Sequence, residues 1–259
     1  MADGADSQGT LEARSVTVNF GGVTALRRVS LRFDRGAIQG LIGPNGAGKT
    51  TLFDTLAGMT MVTGGHIFLD GDDVTNRSAT WRSRRGIRRT FQRQQTFGWL
   101  SVEDNLLCAL EWHGGGGGLL ADLVRAPSRK RIESDRRARV EEVMELCDLT
   151  RIASVLAGNL PIGGARIVEI ARAIVDHPRM LLLDEPTSGL EEAEVERVGQ
   201  LIRDVRDKEG CGIALVEHDI GFVMRECDTV AVLNLGEVLA SGTPAEVGND
   251  DAVMAAYLG

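Results

Sequence analysis

No stretch of this 259-residue chain holds the ~18 consecutive apolar residues that would cross a bilayer. Any membrane role is therefore expected to come through a partner. The four cysteines, Cys108, Cys147, Cys211 and Cys227, form no CxxC pair and no cluster with metal-ligand spacing. They read as free thiols in a reducing compartment. Positive charge is in deficit: 29 Lys+Arg against 37 Asp+Glu leave a formal charge of −8. That argues against a general nucleic-acid binder, and no nucleic-acid partner is expected. The N-terminus, MADGADSQGT, lacks the basic and apolar regions of a signal peptide, and residues 1–9 read as a loose tail. Hydrophobic residues at 43% and charged residues at 25% are ordinary for a soluble domain.

What is present is one stretch around which the rest is arranged, GPNGAGKTT from Gly43 to Thr51. An apolar run, Ala37 to Ile42, precedes it, and Leu52 to Ala57 reads as a helix after it. This is the strand, glycine loop and helix context of a phosphate-binding loop. Gly43, Gly46 and Gly48 let the backbone turn sharply, so that successive N–H groups face one anion. Pro44, Asn45, Ala47 and Thr51 complete the loop. The helix starting near Lys49 adds the positive end of its dipole. Lys49 can reach the outer phosphates as a point charge, and the Thr50 hydroxyl can ligate Mg²⁺.

Upstream, Thr10–Phe20 alternates like a strand and Val29–Phe33 reads as a second. Phe20 could stack on an adenine face, or simply close a core at a strand end. Downstream, Gly64–Gly71 reads as a strand closed by a turn. The basic run Arg82, Arg84, Arg85, Arg88, Arg89 and Arg93 reads as a solvated face leading into Gln92. Residues 101–113 read as a helix with Ser101 as N-cap, broken by five glycines, Gly114 to Gly118, with a short amphipathic element at 119–126. Glu133–Cys147 reads as a helix, its apolar face being Val140, Val143, Met144 and Cys147 and its many arginines solvated. A further helix, 163–176, is stopped by His177-Pro178.

Met180 to Leu183 are four consecutive apolar residues, a strand buried on both faces, with Asp184-Glu185 at its C-terminal end. In an open parallel sheet ligands bind at that end. Asp184 can hold Mg²⁺ and Glu185 can polarise an attacking water. Glu191–Glu209 is a charged helix. Gly212–Val216 is a third buried strand, ending at Glu217-His218-Asp219, which puts His218 on the same sheet edge as Asp184. A hairpin around Gly236 and a helix Asp251–Leu258 close the chain.

In this order the parts resemble the nucleotide-binding subunits of ABC transporters, over about residues 10–259. GPNGAGKTT is similar to the family's first nucleotide motif, and LLLDEP (181–186) to its second, with Glu185 as catalytic glutamate. Gln92 falls at the Q-loop glutamine and His218 at the switch histidine; both join Glu185 as catalytic candidates, and Gln92 joins Thr50 and Asp184 as a metal candidate. Phe20 matches the adenine-stacking aromatic. Within the family, GIRRTFQ (86–92), LVRAPSRKR (123–131), EIARAI (169–174) and the YLG ending are most similar to ATPases of branched-chain amino-acid importers. The signature loop, usually Leu-Ser-Gly-Gly-Gln, is here Leu160-Pro161-Ile162-Gly163-Gly164, without a serine, and Glu191 stands at the D-loop aspartate.

The resemblance implies an α/β fold: a P-loop NTPase (RecA-like) core of largely parallel strands, a flanking antiparallel β part and a helical subdomain inserted at 95–165. It implies ATP and Mg²⁺, transmembrane permease subunits, and a second ATPase subunit, a different chain, bound head to tail. A solute-binding protein would act indirectly. It places the chain at the cytoplasmic membrane face, driving import of a small solute, an amino acid. Two rivals remain: a soluble ABC ATPase acting on DNA or the ribosome, and a nucleotide-regulated binding protein of low turnover. The first usually carries tandem cassettes or long coiled-coil insertions, and neither is seen.

Overall fold

The alternating residues Leu11, Ala13, Val16 and Val18 form the buried face of β1 (Thr10–Phe20) in the computed structural model, which describes residues 10–92, 95–111 and 127–258. The step from Ala13 to Val16 breaks the period of two. The ladder absorbs it as an irregularity around Ser15, whose φ is 49°. Strand β1 pairs antiparallel with β2 (Val23–Asp34) and with β4 (Gly64–Leu69), and β5 (Asp72–Asp73) completes a sheet of order β2-β1-β4-β5. The second strand thus begins at Val23, six residues before the expected Val29. Its first half carries Thr24, Arg27 and Arg28, polar residues that hid the pattern.

The second sheet has the order β10-β9-β3-β8-β7-β6. Strands β3 (Ile38–Ile42), β6 (Ile87–Arg89), β7 (Met180–Asp184), β8 (Gly212–Val216) and β9 (Thr229–Asn234) run parallel. Only β10 (Glu237–Gly242) is antiparallel among these described strands, as the second arm of the hairpin. The short apolar runs of β7 and β8 are buried throughout, as strands covered on both faces require. Met180 and Leu182 face a core shared with the antiparallel sheet and the helix Lys49–Ala57. Leu181 and Leu183 face the opposite core, made with helices Val102–Leu110, Pro127–Leu146, Ile162–Ile174 and Glu192–Glu209. Parallel register then brings the C-terminal ends of β3, β7 and β8 to one edge, with Leu41 and Asp184 both opposite Val216.

The expected N-cap at Ser101 is present: its hydroxyl accepts from the Asp104 amide at 3.0 Å. The helix expected at Glu133–Cys147 runs from Pro127 to Leu146 and buries Val140, Val143 and Met144, with buried Cys147 just past its end. The cysteines are free, and burial pushes the Cys147 and Cys211 thiols up to about 12. The glycine run 114–118, the element expected at 119–126 and the tail 1–9 lie outside the described residues.

The solvated reading of the arginine runs holds for Arg84, Arg85, Arg131 and Arg137, which are exposed, and is corrected for Arg82, Arg88, Arg89 and Arg139. A helix, Ala79–Arg84, and strand β6 occupy the first run, where charge density concealed them. Arg82 is buried. Its guanidinium donates to the carbonyls of Thr55 (2.7 Å), Leu56 (2.8 Å), Thr75 (2.9 Å) and Arg77 (3.2 Å). It therefore caps the end of the helix Lys49–Ala57, whose last carbonyls have no intrahelical donors. Burial lowers its pKa to about 10. Likewise Arg139 donates to the Ile174 and Val175 carbonyls, both at 3.0 Å, and pairs with Glu209 at 2.8 Å. Arg82→Met should cost on the order of 3 kcal/mol, because several buried carbonyls lose their donor at once. Urea unfolding without nucleotide measures this; a change below about 0.5 kcal/mol would contradict the capping role.

Candidate active site

Strand β3 ends at Ile42, and seven residues later Lys49 opens the loop helix. Between them φ is 150° at Gly43, 80° at Gly46 and 105° at Gly48. A Cβ on Gly43 would collide with the Leu233 carbonyl, and one on Gly48 would lie 2.6 Å from the Ala25 carbonyl oxygen. Gly46 faces open space, so there only the positive φ demands glycine. The N-cap, Gly48, offers no side chain, so the first-turn N–H groups at Lys49, Thr50 and Thr51 stand ready for an anion. The Ala47 amide closes the loop on the Pro44 carbonyl at 3.2 Å, while Asn45 and Thr50 are exposed. Lys49 is buried, and its Nζ donates to the carbonyls of Gly43 (2.6 Å) and Pro44 (3.1 Å). Burial lowers its pKa, opposed by the charges of Glu185 and Asp184.

At the end of β7, buried Asp184 accepts from Arg89 Nη2 through Oδ2 at 2.9 Å. Arg89 also pairs with Asp54 on the loop helix, tying the two nucleotide motifs together. Glu185 has φ 50°, a left-handed conformation that costs a non-glycine residue roughly 1–2 kcal/mol. Its amide donates to the Val216 carbonyl at 2.9 Å. Its carboxylate is gripped from both sides: Oε1 lies 2.8 Å from His218 Nε2, and Oε2 accepts from Gln92 Nε2 at 2.9 Å. Three residues far apart in sequence thus meet at one strand edge, beside Lys49.

Glu217 escaped notice in the sequence. It is buried and accepts from the Thr187 amide (2.8 Å), the Thr187 hydroxyl (2.6 Å) and the His218 amide (3.0 Å). It fixes both the turn after Glu185 and the residue facing it. Arg89 was missed as well, lost among its arginine neighbours. An acidic residue after a strand reads as a surface turn, so only its burial reveals it.

Phe20 ends β1 with 55% of its surface exposed, which removes the plain-core alternative and leaves an open aromatic face. Leu160 and Pro161 lead into the helix Ile162–Ile174, whose N-cap, Pro161, gives no side-chain bond. Gly163 and Gly164 sit in its first turn. A Cβ on Gly163 would meet the movable carboxylate end of Glu194. Glu191 N-caps the helix Glu192–Glu209 in a reciprocal box with Glu194, its amide donating to Glu194 Oε2 at 3.1 Å. Among the described residues no group of three His, Cys, Asp or Glu side chains could hold a metal by itself. The hard oxygen donors of Asp184 and Thr50 fit Mg²⁺, which keeps waters and shares nucleotide phosphates rather than filling a protein cage.

A glycine loop opening a helix, beside a parallel strand tipped by a carboxylate pair, defines a phosphate-loop ATPase. The ABC transporter family model matches residues 26–188, and a branched-chain amino acid ATP-binding cassette transporter model matches 237–259. The chain is 37% identical over 253 residues to the high-affinity branched-chain amino acid transport ATP-binding protein BraF of Pseudomonas aeruginosa, covering 98% of this chain and 99% of that one. It is 38% identical, with the same coverage, to the corresponding LivG of Escherichia coli. It is 33% identical to the lipopolysaccharide export ATP-binding protein LptB of Escherichia coli, over 96% of this chain and 97% of that one. A crystal structure of a nucleotide-free ATP-binding cassette from an ABC transporter superposes with TM-score 0.82 at 27% identity, covering 96% and 98% of the two chains. This chain belongs to the ABC transporter ATP-binding family, whose members hydrolyse ATP to power transport.

Proposed function

We propose that this chain is the ATP-hydrolysing subunit of an importer for branched-chain or other amino acids, acting at the cytoplasmic membrane face. The importer relatives and the match over 237–259 support the solute class. The observation that carries the hydrolytic role is the Glu185 carboxylate, held between His218 and Gln92 at the strand edge beside Lys49. In this reading the Phe20 ring stacks on adenine, and the amides from Gly43 to Thr51 cradle the phosphates. Lys49 leaves the Gly43 and Pro44 carbonyls for the outer phosphates. Mg²⁺, held by Thr50 and Asp184 with Gln92 nearby, neutralises phosphate charge when bound. Glu185 polarises the attacking water, while His218 and Gln92 fix its carboxylate.

Residues 160–164 lie on a different element from this cluster. They complete a site only across a head-to-tail pair, facing the partner's ATP. Without the signature serine, the partner's site loses one charge-assisted hydrogen bond, about 1.5–3 kcal/mol or ~10- to 150-fold in rate. Within an assembled pair of different ATPase chains, Glu185→Gln should therefore remove most turnover, and the partner's equivalent change little. Equal losses would show the two sites to be equivalent.

No helix among the described residues is long and apolar enough to cross a membrane, so attachment is assigned to the permease. The surface assigned to this contact is a groove of about 450 Å³ beside β6, lined by Met59, Ile87 and Phe91 together with Arg84, Arg88 and Arg89. Of the arginines on this wall, Arg88 is turned inward onto Ser83 and Asp176, and Arg89 onto Asp54 and Asp184. The test of the function is uptake of labelled leucine into proteoliposomes carrying the permease, the binding protein and both ATPases. MgATP-dependent uptake that Lys49→Ala abolishes is expected. Transport of an unrelated solute alone would overturn the solute assignment.

A further inference from the structure

The helix Ile162–Ile174 presents Arg166, Glu169 and Arg172 at steps of three, along one face. All three side chains turn onto the segment that carries Gln92. Arg166 Nη1 donates to the Phe91 carbonyl at 3.2 Å and to Glu169 Oε2 at 2.8 Å, and Nη2 donates to the Gln92 carbonyl at 3.5 Å. Burial raises the Glu169 pKa, opposed by the Arg166 charge and by the nearby Phe91 backbone amide. One turn on, Arg172 donates to the Gln95 carbonyl and lies 4.7 Å over the Phe97 ring. The Arg166 and Glu169 side chains are only 4% and 6% exposed. A buried ion pair of this kind is poor value as packing, since apolar residues of similar volume usually stabilise as much. Among the described residues Arg166 Nε and Glu169 Oε1 find no hydrogen-bond partner, while the two Arg166 Nη atoms go to the Phe91 and Gln92 carbonyls and to Glu169.

We propose that Arg166, oriented by Glu169, is a positioning residue that sets Gln92 against the catalytic carboxylate. Its hydrogen bonds go to Glu169 and to the Phe91 and Gln92 carbonyls, not to Glu185. It holds the carbonyls on either side of the Gln92 Cα, those of Phe91 and Gln92, and Gln92 Nε2 reaches Glu185 Oε2 at 2.9 Å. Arg166 lies three residues after Gly163, less than one turn from the segment assigned above to the partner's ATP. This inference rests on the proposed ATPase reading.

The test is a double-mutant cycle on kcat in the assembled transporter, with Arg166→Ala, Gln92→Ala and both together, and nucleotide affinity measured in parallel. A misplacement of about 1 Å can cost ~10²-fold in rate. Arg166→Ala should lower kcat at least about 10-fold while the Kd for MgATP stays within about twofold. In the Gln92→Ala background the same change should do almost nothing, because the group it positions is gone. Multiplying losses would overturn the proposal, since a merely structural role lowers kcat by the same factor in both backgrounds. Should Arg166→Ala fail to fold, Arg166→Lys serves. It keeps the charge beside Glu169 but not the fork that grips two carbonyls, and the same dependence on Gln92 is expected at smaller amplitude. A wild-type complex without ATPase activity would sink the functional reading itself, a result distinct from an additive cycle.

Discussion

Glu185→Gln should leave MgATP binding intact and reduce turnover by about 10³-fold, within the 10²–10⁴ range typical of a positioned general base. The replacement keeps the length and shape of the side chain. The amide can still meet His218 and Gln92, so the strand edge and the φ of 50° at this position should persist. What is lost is the negative oxygen that takes up positive charge from the attacking water. In the proposed reading nucleotide binding rests on other atoms: the loop amides, Lys49, Thr50 and Asp184. The expected product is a long-lived ATP-bound complex, seen by single-turnover quench and by retained nucleotide after gel filtration. Turnover within about threefold of wild type would show that another group activates the water.

Lys49→Ala should weaken MgATP binding by about 10²-fold, equivalent to ~2.7 kcal/mol, the order of one charged hydrogen bond in a site shielded from water. The folded chain should survive, because Lys49 holds only the Gly43 and Pro44 carbonyls of a glycine loop at the sheet edge. Burial lowers the Lys49 pKa, so in the free protein its charge is lost at a lower pH than for an exposed lysine. MgATP affinity should therefore fall on the alkaline side as Lys49 deprotonates, and this limb should vanish in Lys49→Ala. Calorimetry across pH measures both effects. Unchanged affinity in the variant would remove Lys49 from the phosphate site.

The residues that declare themselves in the sequence follow strong local rules. The glycine loop needs particular backbone angles, and the β7 and β8 runs need two covered faces, so both stand out as patterns. Arg82, Arg89, Arg166 and Glu217 follow no local rule. Each is a charged side chain whose partners lie far along the chain: Arg82 on the loop helix, Arg89 on Asp184, Arg166 on the Gln92 segment, Glu217 on Thr187. Arg82 and Arg89 lie within an arginine run, Glu217 lies beside His218 and Asp219, and Arg166 stands among apolar residues, so only three-dimensional burial separates these charges from a solvated face. The grip of Gln92 and His218 on Glu185 was approachable because strand ends in a parallel sheet share one edge. The distances that make it a single cluster come from the fold alone.

The central claim is that ATP is hydrolysed at the Lys49–Glu185 edge to drive a permease. It is tested most directly by steady-state phosphate release from the purified transporter, assembled with both ATPase chains and loaded binding protein. The account predicts release that rises with bound solute, that disappears in Glu185→Gln with nucleotide retained, and that disappears in Lys49→Ala with nucleotide lost. Phosphate release insensitive to Glu185→Gln, or none from the wild-type assembly with solute present, would contradict it.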